Sequence, residues 1–249
     1  MVLLFVGRVC AQDSGLPDDA APLSAVHVRE LVQSFEKLRD ESATRITKTP
    51  DAFNAYSQHG DACFFLGRFS EAVVDYDKMI ELDPSQQASH WRRGIALFYD
   101  SRFKDAASQF ESYHSIDQVD RENGIWRYLS QHRAYGAAKA REGLLKYKKD
   151  DREPFPAVYK LFAASLTPEQ ILAEIAKLDL SKEEREKRSF YAHLYIGLNY
   201  AVEDKVDLAR RHLAIATRNT WAPEAGYGPN YMWNVGRLHE ELLRKELQK

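Results

Sequence analysis

The chain has 249 residues, of which 44% are hydrophobic and 29% charged, as in an ordinary globular protein. Its 35 Lys and Arg residues nearly offset its 37 Asp and Glu residues, so the formal net charge is only −2. This balance argues against broad attraction to nucleic acid or to an anionic membrane, and we expect no nucleic-acid partner. The two cysteines, Cys10 and Cys63, are too few for a disulfide framework or a cysteine-based zinc motif.

The N-terminal segment resembles part of a secretory signal peptide. Residues 1–6 form a short apolar run, Val9-Cys10-Ala11 resembles a cleavage site, and residues 12–22 are polar and rich in helix breakers. We interpret residues 1–22 as a truncated signal peptide and linker, which predicts a periplasmic or secreted protein. A frayed terminus of a cytoplasmic protein is the alternative. No stretch reaches the ~20 apolar residues of a membrane span, so we expect no integral membrane segment.

The rest of the chain, residues 23–249, predicts a single all-α domain. Ser24 is a suitable N-cap for a first helix, which Pro50 ends. Further capped helices are expected after Thr167, where Gln170 completes a capping box, and after Ser181.

An internal period of 34 residues is the strongest signal in the sequence. Four pairs of positions keep this spacing: Gly60 and Gly94, Phe69 and Phe103, Ala72 and Ala106, and Tyr76 and Phe110. A 34-residue period built from two helices is the tetratricopeptide spacing, so we predict a tetratricopeptide-repeat solenoid of stacked helical hairpins. The predicted units are clear repeats over 53–86 and 87–120, a degenerate repeat over 121–147, a last repeat over about 190–223, and a C-terminal capping helix over about 230–247.

Repeats of this kind present a concave groove lined by the first helix of each pair, where peptides or helices bind. Alignment on the repeat pattern directs eleven residues to this groove: Asn54, Ser57, Asp61, Phe64 and Phe65 in the first repeat, and Ala88, Trp91, Arg92, Ile95, Phe98 and Tyr99 in the second. The surface is aromatic and lightly charged, which favours an apolar or helical protein segment as the partner. The alternative is that these aromatic residues pack against the first helix, over 24–47, and belong to the core.

The sequence contains no recognisable catalytic motif, so we expect no enzyme activity, no cofactor and no metal. His59, Asp61 and Cys63 are close in sequence, but residues two apart on a helix point in different directions. His90, on the next first helix, could approach His59. We interpret Cys63 as a small core residue between helices.

Several segments resemble the NlpI family of outer-membrane lipoproteins in enteric bacteria. The segment 90–99 followed by Arg102 resembles that family's second repeat, 125–129 resembles its next helix, and the repeat that begins at Phe190 resembles its last. The resemblance covers roughly residues 51–243 in collinear order. It implies a periplasmic adaptor that forms homodimers and brings peptidoglycan hydrolases together with a tail-specific protease, without catalytic residues of its own. This chain departs from the family in having no clear lipobox.

We therefore predict a non-catalytic scaffold or adaptor that holds a protein segment in its concave groove. A structural assembly subunit that acts through homodimerisation is the second hypothesis. The third is a hydrolase or metal enzyme whose site is assembled between distant helices.

Overall fold

The computed structural model describes residues 21–149 and 151–247, and this part of the chain is all-helical. The predicted signal peptide and most of the linker lie outside the described residues. The helices are α1 (Ala25–Lys48), α2 (Phe53–Phe65), α3 (Phe69–Leu82), α4 (Trp91–Tyr99), α5 (Phe103–His114), α6 (Arg121–Tyr135), α7 (Ala137–Glu142), α8 (Phe155–Phe162), α9 (Pro168–Lys177), α10 (Lys182–Val202), α11 (Val206–Thr217) and α12 (Tyr227–Glu246). Short 3-10 turns lie at Pro84–Gln86 and Ala222–Glu224.

The predicted helix starts are confirmed by their caps. The Ser24 side chain accepts a hydrogen bond from the backbone N–H of His27, and Ser181 accepts one from Glu184. Thr167 and Gln170 form the complete capping box, which satisfies two backbone donors that the first turn of α9 would otherwise leave unpaired.

The helices pack mainly on their neighbours in the chain, and three pairs approach closely through a glycine. A Cβ atom added to Gly60 would lie 2.7 Å from the ring of Tyr76, and one added to Gly94 would lie 2.6 Å from the ring of Phe110. Gly197 on α10 meets Leu213 on α11 in the same way, at 2.8 Å. In each pair the contacted residue follows its glycine by 16 positions, so one packing arrangement recurs in α2–α3, α4–α5 and α10–α11.

One predicted helix is shorter than expected. The degenerate repeat was predicted to extend over 121–147, but its second helix, α7, ends at Glu142. The Gly143 carbonyl, which would accept the N–H of residue 147 in a continued helix, accepts the Arg127 guanidinium instead. Glycine also favours helix ends over helix interiors.

The last helix brings the two ends of the described chain together. α12 packs on α11 along its length and also contacts α2, so the C-terminal segment lies against the first helical pair. Tyr231, Trp233 and Val235 of α12 are buried in the same core cluster as Phe64 of α2. Among the described helices, none combines the length and the low polarity that crossing a bilayer requires.

Candidate functional site

Helix α12 packs against several of the residues that were predicted to line the concave groove. The ring of Tyr231 lies 4.8 Å from the ring of Phe65, 5.7 Å from Phe64 and 4.8 Å from Trp91, measured between centroids. Arg237 of the same helix donates a hydrogen bond to the carbonyl of Phe65. The aromatic surface that was expected to receive a partner is therefore covered by a segment of the same chain.

Asp61 holds the beginning of α12 in place. Its carboxylate accepts hydrogen bonds from the Tyr227 hydroxyl at 2.5 Å, the Tyr76 hydroxyl at 2.7 Å and the Arg92 guanidinium at 2.8 Å. Arg92 also donates to the Ser57 hydroxyl. Asp61 thus ties α2, α3 and α4 to the first residue of α12, and its charge is compensated by one guanidinium.

A second contact fixes α12 further along. The Tyr99 hydroxyl lies 2.8 Å from Nδ1 of His239, whose pKa burial lowers to about 4. The imidazole is therefore neutral near pH 7, and one hydrogen bond pairs it with Tyr99.

The structure divides the predicted groove residues by exposure. Phe64, Phe65, Ile95 and Phe98 are buried, Asn54 is exposed, and the others are half-buried: Ser57, Asp61, Ala88, Trp91, Arg92 and Tyr99. The alternative, in which these aromatic residues pack against the first helix, holds for Phe65, whose ring lies 4.9 Å from that of Phe35 on α1. Phe65 also packs against Tyr231, and so do Phe64 and Trp91, so α12 covers more of the predicted groove.

An open pocket remains beside the filled groove, between the first turn of α6 and helices from both halves of the chain. Its volume is about 370 Å³, which is within the range of ligand-binding cavities. The lining residues are Trp91, Ile95, Phe110, Tyr113, Asp120, Glu122, Asn123, Trp126, Arg152, Lys187, Tyr191, Trp221, Gly228, Pro229 and Met232. Trp91 and Ile95 are the predicted groove residues that reach it.

The walls of this pocket are rich in aromatic side chains, and one of them carries an unused hydrogen-bond donor. Three of the four tryptophans of the chain line the pocket: Trp91, Trp126 and Trp221. Trp126 is almost fully buried, and its indole Nε1 has no hydrogen-bond partner. The fourth tryptophan, Trp233, lies elsewhere and donates to the carbonyl of Thr217 at 2.9 Å. A buried donor without an acceptor is unfavourable, but the nitrogen itself has less than 1 Å² of exposed surface, so it is the ring of Trp126 that lines the pocket.

The floor of the pocket is a network of carboxylates around one guanidinium. Arg152 pairs with Glu122, with Asp120 at 3.6 Å and with Asp151 at 3.3 Å. Its guanidinium also stacks over the ring of Phe155, 4.3 Å from the centroid. Three acids thus share one cation.

Two of these acids, Glu122 and Asp120, are hard to ionise because they are buried. Burial raises the pKa of Glu122 to about 7, although the charge of Arg152 opposes the shift. Burial raises the pKa of Asp120 as well. The Tyr195 hydroxyl donates to the other oxygen of Glu122 and holds its orientation. A second cation near Glu122 would favour the ionised form.

The sequence analysis named two of the pocket residues, Trp91 and Ile95, as groove residues and did not predict the pocket. The lining residues come from helices far apart in the chain, so no local pattern brings them together. No protein-family model matches this chain.

Proposed function

We propose that the chain is a tetratricopeptide-type helical solenoid that acts as a non-catalytic protein-binding scaffold, and that the open pocket holds the anchoring residues of its partner. The observation that carries this proposal is an open pocket lined by aromatic side chains, next to a groove that α12 already fills. The recurring glycine contacts of three helical pairs support the repeat architecture.

The pocket has room for a few side chains of a partner segment, because its volume of about 370 Å³ is within the range of ligand-binding cavities.

The charge of the pocket favours a basic anchor. Asp120 and Glu122 line it, and Arg152 is shared with a third acid. Lys187, the other basic residue of the lining, is paired with Glu184 at 3.3 Å. A lysine or arginine side chain would gain from the carboxylates and from the faces of the surrounding aromatic rings. We therefore infer a partner segment with a basic residue beside apolar neighbours.

The location and partners remain those that the sequence and its resemblance suggest. We propose an extracytoplasmic adaptor, similar in role to the NlpI family, that links cell-envelope hydrolases and proteases. The residues on which the location depends, 1–11, lie outside the described part of the chain.

A peptide-display selection tests the pocket directly. Peptides are selected on the wild-type protein and then measured against Gly228→Phe by fluorescence anisotropy. Gly228 lines the pocket and a Cβ atom there meets nothing within 4 Å, so the larger side chain is expected to occupy the pocket without disturbing the fold. We expect Gly228→Phe to abolish binding.

Two tryptophan variants serve as a matched pair. Trp126→Phe reduces the aromatic area that lines the pocket, and weaker binding is expected because aromatic side chains of this kind anchor a partner. Trp233→Phe removes an indole outside the pocket and should leave affinity unchanged. Equal affinities for wild type and Gly228→Phe would refute the pocket as the binding site.

Homodimerisation is a second candidate function, favoured by the exposure of α1. Ser42 is the one buried residue of this 24-residue helix, and Val26 is 55% exposed. A second copy could cover the free side of α1. Sedimentation velocity over a range of concentrations measures this, and a monomer at the highest concentration would contradict it.

A further inference from the structure

A group of three metal-ligating side chains lies between α2 and α3, away from the pocket. His59 and Cys63 are one turn apart on α2, and Asp75 faces them from α3. Nδ1 of His59 is 2.7 Å from Oδ2 of Asp75 and 3.6 Å from Sγ of Cys63. One ligand atom from each residue fits within 4.8 Å of the other two.

The sequence did not predict a group of His59, Cys63 and Asp75, because its third member lies on a different helix. His59 and Cys63 share a helix face because they are four residues apart, while Asp61 between them faces Arg92 and Tyr227. His90 does not join the group, because its ring lies against Tyr76 and its Nδ1 accepts from the N–H of Arg93. The third ligand comes instead from the second helix of the hairpin.

The second helical pair provides an internal comparison. The residues 34 positions after His59, Cys63 and Asp75 are Arg93, Leu97 and Gln109. Arg93 donates to the Gln109 side chain at 2.9 Å, so a polar pair is accommodated there without a ligand set. The repeat architecture alone therefore does not require an imidazole, a thiol and a carboxylate at these positions.

A catalytic relay fits this geometry poorly. A Cys-His-Asp relay needs the thiol and the carboxylate on opposite ring nitrogens, so that one proton moves through the imidazole. Here both approach Nδ1 of His59, and Cys63 is completely buried. A shared metal ion, in contrast, draws all three groups toward one point.

The ligand types favour zinc. Sulfur, imidazole nitrogen and carboxylate oxygen bind Zn²⁺ at about 2.3, 2.0–2.1 and 2.0–2.2 Å, which places tetrahedral ligand atoms about 3.3–3.7 Å apart. The Cys63–His59 distance already matches, and the His59–Asp75 distance would have to widen by less than about 1 Å. Glu71 lies at the exposed edge, with Oε2 4.0 Å from Sγ of Cys63.

We propose that His59, Cys63 and Asp75, with Glu71 as the fourth ligand, bind one zinc ion that fastens α2 to α3. Binding forms three bonds within the buried group and one at its edge. It releases the thiol proton of Cys63 and the proton held between His59 and Asp75 to solvent. The site is structural, because four protein ligands leave no open position on the metal.

Cobalt substitution tests this proposal on the reduced full-length protein. We expect one equivalent of Co²⁺ to produce a thiolate-to-cobalt charge-transfer band and the intense visible bands of tetrahedral cobalt, and one equivalent of Zn²⁺ to remove both. Cys63→Ser should abolish the charge-transfer band. Cys10→Ser removes the other thiol of the chain and is the matched control, with an unchanged spectrum.

If Cys63→Ser loses its helical circular dichroism and is therefore unfolded, His59→Gln and Asp75→Asn test the metal site in its place. Each should weaken Co²⁺ binding by more than about tenfold, since loss of even an outer-shell partner has that effect. No spectrum at one equivalent of Co²⁺, a spectrum that disappears in Cys10→Ser, or wild-type affinity in both His59→Gln and Asp75→Asn would overturn the proposal.

Discussion

The close packing of α4 on α5 can be tested with Gly94→Ala. The added Cβ atom would lie 2.6 Å from Cζ and 2.8 Å from Cε2 of Phe110, whose ring is completely buried. Overpacking of this kind costs about 1–3 kcal/mol, while alanine regains about 1 kcal/mol of helix propensity. We therefore expect a net loss of up to about 2 kcal/mol, with Tm falling by roughly 2–4 °C per kcal/mol.

Gly228→Ala is the matched control for this prediction. Gly228 is also helical, and a Cβ atom there meets nothing within 4 Å apart from its chain neighbours, so no overpacking of another helix applies. Because Gly228 lies in the first turn of α12 and precedes Pro229, little of the propensity gain of about 1 kcal/mol is expected. The same substitution at the two sites should therefore differ by up to about 2 kcal/mol in urea unfolding followed by circular dichroism. Equal stability of the two variants would refute the packing argument.

Three further predictions concern buried side chains that can carry a charge. Asp61→Asn removes the partner of Arg92 and should cost about 3 kcal/mol in urea unfolding, because both side chains are mostly buried; an unchanged midpoint would count against this. Burial lowers the pKa of His193 to about 3 and of His212 to about 4. As the pH falls below 6.5, these two histidines take up protons in the unfolded chain before they do so in the folded chain, and the folded state loses stability. From pH 7 to pH 5 the wild type should lose about 2 kcal/mol more than His212→Gln, and equal losses would contradict the assignment. For Glu122, whose pKa burial raises to about 7, the contribution to stability is present below pH 4.5 and is lost as the pH rises through 7. The urea midpoint of Glu122→Gln should therefore rise relative to wild type between pH 5 and pH 8, and a constant difference would contradict this.

The sequence predicted those parts of the fold that depend on local spacing. The caps at Ser24, Thr167 and Ser181 require only residues within a few positions, and all three are present. The contacts of Gly60 with Tyr76 and of Gly94 with Phe110 join helices adjacent in the chain, so a 34-residue period is sufficient to locate them.

The site could not be predicted in the same way, because it depends on which distant segments of the chain come into contact. Tyr227 reaches Asp61 across 166 positions, and no periodicity encodes that contact. Because α12 lies in the groove, Phe64 and Phe65 are part of the core. The accessible pocket lies beside the groove and is lined by Trp126 and Trp221. The aromatic composition of the groove was visible in the sequence, but the identity of its occupant was not.

The indole N–H resonances of the four tryptophans test the proposed binding site most directly. Trp91, Trp126 and Trp221 line the pocket, while Trp233 is bonded to Thr217 outside it. In a titration of ¹⁵N-labelled protein with a selected peptide, assigned by Trp→Phe substitutions, we expect the three pocket signals to shift, because the peptide packs against these side chains. The Trp233 signal should stay in place. Binding that shifts Trp233 and leaves Trp126 unchanged would contradict the assignment of the pocket.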